Sequence, residues 1–205
     1  MELLFEPRVE IIRVAGQWSF FQRRPDFWPR PVLTGDSEVD GGGALIYGSV
    51  LDDGGRYRMW YQATPRGADD HPSSLVGYAE SDDGIEWRKP NLNLVDWNGT
   101  SNNLCDLGMH SPSVFVDPDA SPDCRYRATG HIDFRWTPHH VDATPGRGFG
   151  HYAAHSADGL HWELDSPTPR WVYNDCIYSI YHPGRRTGQV LMKLVRRTGG
   201  ISRRI

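Results

Sequence analysis

The chain has 205 residues, 38% hydrophobic, 12% aromatic and 23% charged, the balance of a folded polypeptide about one domain long. Lys and Arg number 22 against 26 Asp and Glu, so the net charge of -4 offers no basic field for nucleic acid or an anionic bilayer, and both are excluded as expected partners. No apolar run approaches the roughly 20 residues of a membrane span, and Cys105, Cys124 and Cys176 are too few and too scattered for a disulfide framework or a zinc knuckle, so a reducing, cytoplasmic setting is expected.

In chain order, residues 1–37 form a first segment in which Trp18, Phe20, Phe21, Phe27 and Trp28 mingle with Arg23, Arg24 and Arg30; it reads as an N-terminal capping segment. From there 22 Gly and 15 Pro punctuate aromatic and β-branched runs, which favours many short strands over helices. Four strand-like runs come after Gly43: GALIYGSVLDD, RYRMWYQAT, LVGYAESDDG and IEWRKPNL. Four more come after His110: HSPSVFVDPDA, CRYRATGHI, FGHYAAHSADG and LHWELDSP.

The two sets repeat one another. Val50-Leu51-Asp52 answers Phe115-Val116-Asp117, Arg56-Tyr57-Arg58 answers Arg125-Tyr126-Arg127, and the run from Ser81 to Trp87 answers that from Ser156 to Trp162. A third set opens at Asn174 and the chain ends partway through it, so two whole units, 43–94 and 110–167, and a partial one, 174–205, are expected. A four-stranded antiparallel unit leaves sheet faces that only a neighbour can bury, and radial stacking of such units gives a β-propeller. Asp83-Gly84 and Asp158-Gly159 are expected to close two-residue hairpins between third and fourth strands, with Trp87 and Trp162 between blades. An incomplete stack exposes strand edges, so self-association is expected of the isolated chain.

The Ser-x-Asp-Gly-x-x-Trp that closes each unit, with GSVLDDGGRYRMWYQA and SVFVDPDASPDCRYRATGH opening them, resembles the five-bladed propellers of the glycoside hydrolase family 32 and 43 superfamily, which includes invertases, levansucrases and arabinanases. The likeness runs from about Pro31 to the C-terminus, with Asn98 and Asn102-Asn103 matching loosely an Asn-x-x-Asn before the second blade. It implies a carbohydrate substrate, a base Asp in blade one, a pKa-tuning Asp in blade two and an acid Glu in blade three. Here His110 stands in blade two, no Glu follows Glu163, and the invertase-type Asn-Asp-Pro-Asn-Gly, Arg-Asp-Pro and Glu-Cys motifs are missing.

A propeller's first strands line its central channel, so polar residues at their starting ends meet despite wide sequence separation. Those ends carry Glu38 and Asp40, then His110 and Ser111, then Asn174 and Asp175. Glycoside hydrolysis needs one protonated and one ionised carboxyl group, which nominates Asp40 with Asp175 as the catalytic pair and Glu38, His110, His131 and Trp136 as substrate contacts. Six histidines fall between positions 131 and 161, among them His139 and His140, but His151 and His155 lie roughly 13 Å apart along a strand and cannot share an ion, so no metal and no other cofactor is expected. The expected activity is that of a glycosidase; the alternative is a non-catalytic propeller that binds sugar or protein.

Overall fold

A computed structural model describes residues 26–67, 75–132, 148–171, 177–192, 195–198 and 201–204. The chain divides into two compact units, 1–30 and 31–205. Among the described residues there is no α-helix; a single 3-10 turn, Pro122–Cys124, interrupts the strands. β1 (Gly43–Asp52), β2 (Tyr57–Thr64), β3 (Val76–Ser81) and β4 (Trp87–Arg88) form one antiparallel sheet in that order, and β5 (Leu104–Cys105) adds to the start of β3. β6 (His110–Val116), β7 (Tyr126–Ile132), β8 (Gly150–Ser156) and β9 (Glu163–Leu164) form a second sheet in the same order. β10 (Ile177–His182) with β11 (Thr187–Met192), and β12 (Val195–Thr198) with β13 (Ile201–Arg204), are two-stranded.

The first strands lie side by side, β1 against β6 and β6 against β10, which is the hub of a β-propeller; the described sheets do not close a ring. The amino-acid pattern explains why blades stack. Alternate residues of β2 enter different cores: Trp60 joins Val76, Tyr78, Val114, Tyr126 and Trp162 between the two sheets, whereas Met59, Tyr61 and Ala63 join Val39, Leu75 and Leu104 on the opposite face. Trp60 is completely buried, and enclosing the ~150–250 Å² of a large aromatic stabilises the seam by about 4–6 kcal/mol at ~25 cal/mol per Å².

Two expectations are corrected. Ser81 pairs with Trp87, so the Asp-Gly loop holds five residues, not two. Asp83 Oδ1 accepts the amides of Ile85 and Glu86 at 2.8 Å each, Ser81 Oγ accepts that of Gly84 at 2.9 Å, and only the glycine takes a left-handed conformation, φ 76°. A side-chain cap thus replaces the paired positive-φ residues of a tight hairpin. Ser156, Asp158 and Gly159 make the same bonds in the second sheet. Trp162 is buried edge-on to Trp60, with ring centroids 6.5 Å apart, whereas Trp87 is half-buried and packs against the cluster of Met59 and Tyr61.

The second correction concerns register. Asp53 N bonds Arg56 O and Asp117 N bonds Arg125 O, and Asp52 and Val116 lie opposite Tyr57 and Tyr126, so Asp53 answers Asp117 and Ser49 answers Ser113, one position off the sequence match. The reason lies in bulges. Between Leu45 and Ser49, β1 sets three residues against Tyr61 alone; between His110 and Ser113, β6 sets two against Gly130. The β1 bulge requires a glycine, because a Cβ on Gly48 would stand 1.8 Å from the Trp60 carbonyl oxygen.

Candidate functional site at the hub end of the sheets

Both bulges fall at the starting ends of the inner strands, where they re-aim side chains. Ser111 adopts φ 53°, a left-handed conformation that costs a non-glycine residue of the order of 1 kcal/mol. It turns the Ser111 amide onto Gln62 Oε1 at 3.1 Å, and His110 Nδ1 reaches the same oxygen at 3.1 Å. Gln62 Nε2 donates to the Leu75 carbonyl at 2.8 Å, which fixes the amide orientation and leaves Oε1 as an acceptor. Gln62 Oε1 can only accept, so His110 Nδ1 carries a proton and donates to it. Tyr47, exposed on the β1 bulge, holds its ring 5.8 Å from that of His110.

His110 stands opposite His131, and His131 opposite His151, so three imidazoles occupy one row across β6, β7 and β8. His131 and His151 are buried with ring centroids 5.2 Å apart, and Phe149 packs edge-on against His131 at 4.4 Å. His155 turns to Asp165, 2.8 Å away. Among the described residues no group of three His, Cys, Asp or Glu side chains is placed to hold a metal ion.

Asp40 lies on the other face of the first sheet. Its carboxylate is entirely enclosed: Oδ1 accepts the Asp36 and Ser37 amides at 3.1 and 2.9 Å and the Ser37 hydroxyl at 2.7 Å, and Oδ2 accepts Tyr61 Oη at 2.8 Å and Lys89 Nζ at 2.5 Å. Burial by itself would raise its pKa, but the bonds from Lys89, Ser37 and Tyr61 outweigh burial and hold the group at about 2. Tyr61 and Gln62 are consecutive on β2, so Asp40 and His110 hang from opposite faces of one strand and are not brought together. Glu38 is exposed on the same turn, 3.5 Å from Arg66. Asp175 and Trp136 lie outside the described residues, as do His139, His140 and Cys176. Cys105 is buried, and burial pushes its thiol up to about 12, so it is no nucleophile.

Sequence reasoning missed Gln62, Tyr61 and Lys89. A signal existed for the first: the spacing that matches Arg56 to Arg125 also matches Gln62 to His131, each a polar residue near the end of a second strand. Lys89 carried none, because an isolated lysine after a strand is ordinarily solvated.

The stacked sheets and their hub define a propeller-type chain. No protein-family model matches it. Two uncharacterized proteins of Mycobacterium tuberculosis, MT1551 and Rv1502, are each 39% identical over 62 residues, which is 29% of this chain and 20% of theirs. The exo-inulinase of Aspergillus awamori superposes with a TM-score of 0.50 and 15% identity, covering 80% of this chain and 36% of the enzyme. A glycosyl hydrolase from Bacteroides ovatus gives a TM-score of 0.42 and 18% identity, covering 82% of this chain and 48% of that one. The chain shares the propeller fold of the exo-inulinase, and spans about a third of that enzyme's length.

Proposed function

We propose that the chain belongs to a carbohydrate-active propeller of the glycoside hydrolase type, with the sugar held at the hub end of the inner strands. The observation that carries this reading is the Gln62–His110 pair at 3.1 Å, which fixes an imidazole at the start of a first strand, on a scaffold shared with an exo-inulinase. His110 contacts the sugar, His131 backs it, and Glu38 and Trp136 contribute to the rim. Asp175 supplies a carboxylate to the scissile bond. Asp40 is a positioning residue: ionised and sealed, it anchors the turn before β1 and, through Tyr61, the end of β2 that carries Gln62.

The enclosure of Asp40 favours a second reading, in which the propeller binds sugar without cleaving it, since a carboxylate with every lone pair engaged neither attacks carbon nor activates water. Aryl glycosides of pentoses and hexoses, incubated with wild type and with Asp175→Ala, separate the two. Turnover lost in Asp175→Ala supports hydrolysis; binding by calorimetry without turnover selects the second reading; neither binding nor turnover overturns both.

A further inference from the structure

We infer that the outer face of the first sheet carries a second, accessory site for a neutral polyhydroxylated ligand, separate from the hub end. A cleft of about 520 Å³ opens there, walled by Leu33, Trp87 and Pro90 on apolar surface and by Asp36, Asn91 and Asn103 on polar surface. That volume suits a monosaccharide. The inference does not rest on the hub reading, because the two sites occupy opposite faces of β2.

The chemistry of the cleft depends on which groups are already engaged. Lys89 has three protons and three acceptors: the Thr34 carbonyl at 2.6 Å, Asp36 Oδ1 at 2.6 Å and Asp40 Oδ2 at 2.5 Å. It is a fixed cation that neutralises the buried Asp40 and offers nothing to an anion, which argues against a phosphate or carboxylate ligand.

Asn103 is the reverse case. Only 4% of it is exposed, and its Nδ2 donates to Tyr61 Oη and to the Tyr78 carbonyl, each at 2.8 Å. A carbonyl only accepts, so the amide orientation is fixed and Oδ1 is turned away from both partners. Among the described residues no donor reaches that oxygen, although the side chain lines the cleft. It is an acceptor open to the cleft, to which a ligand hydroxyl can donate. Asp36 adds a carboxylate that is 72% exposed and keeps lone pairs beyond its bond to Lys89.

The site therefore offers two acceptors beside the indole of Trp87 and the ring of Pro90. Vicinal hydroxyls donating to Asp36 and Asn103, with C–H edges against the apolar wall, describe a pyranose or furanose ring. A metal ion fits less well, since Lys89 already balances one of the two carboxylates and an amide oxygen alone completes the set.

The test titrates D-fructose, D-xylose and, separately, calcium chloride into the full chain, following the Trp87 indole and Asn103 side-chain amide signals by NMR. Either sugar is expected to shift both signals saturably. Asp36→Asn, on an exposed side chain, is expected to weaken binding about tenfold, and Asn103→Leu to abolish it, while His110→Ala leaves it unchanged. If Asn103→Leu fails to fold, Asp36→Asn and the wild-type shifts decide alone. No shift with either sugar, a response to calcium only, or equal loss in His110→Ala would overturn the inference.

Discussion

Trp60 and Thr129 occupy the same register position in the two larger sheets, opposite Ser49 and Ser113, and each meets the next sheet around the hub by a different chemistry. Trp60 is sunk in a mainly apolar seam and its Nε1 donates to the Gly159 carbonyl at 2.8 Å, beside Arg58, which spans to Tyr126 Oη at 2.5 Å and the Asp158 carbonyl at 2.6 Å. Thr129 instead donates to Ser179 Oγ at 3.0 Å, in a seam closed by hydroxyls. One device is common to both: Ser49 Oγ accepts the Val114 amide and Ser113 Oγ the Ser179 amide, each at 2.8 Å, stitching inner strand to inner strand. The backbone geometry of the hub is thus constant while the side chains that glue the seams vary; on β10 Ile177 and Ser179 are buried, whereas Tyr178 and Ile180, on the strand's other face, are exposed.

Truncation should expose that asymmetry most sharply. Trp60→Ala is expected to cost about 3–5 kcal/mol, against about 1 kcal/mol for Thr129→Ala, by urea denaturation. Comparable losses at the two positions would remove the distinction between seams.

Acid comes next. Folding lowers the Asp40 pKa from 3.8 to about 2, so the stabilisation it contributes is complete only above about pH 5 and drains away as pH falls through 3.8 toward 2. That difference corresponds to about 2 kcal/mol. Asp40→Asn should flatten the stability profile between pH 4 and 2, whereas Glu38→Gln, altering an exposed carboxylate on the same turn, should leave its shape intact. A profile unchanged by Asp40→Asn would refute the buried pairing with Lys89.

The smallest effect concerns the shared stitch. Ser49→Ala and Ser113→Ala should each cost about 1 kcal/mol, and by similar amounts, because the same bond is lost from both seams. A large inequality would place the hub's constancy in side-chain packing instead.

The strands were legible because they depend on local chemistry: turn formers flank β-branched and aromatic runs, and Ser81-x-Asp83-Gly84 and Ser156-x-Asp158-Gly159 cap their own loops. The fine register was not, since the bulges at Gly48 and Ser111 insert residues without changing composition, and a one-residue slip between Asp52 and Asp53 is invisible to motif matching. The site was legible in part. His110 stood out because a first strand's starting end is defined by the fold, but its partner Gln62 is chosen by contact between sheets, and the burial of Asp40 depends on Lys89 arriving from 49 positions away.

Sugar binding at the hub depends on the imidazole of His110. Nitrogen-15 NMR of His110, recorded during titration with the sugar that binds best, tests it most directly. The prediction is a ring protonated on Nδ1 whose nitrogen resonances move with sugar occupancy. A ring without a proton on Nδ1, or nitrogen resonances indifferent to every sugar that binds, would contradict it.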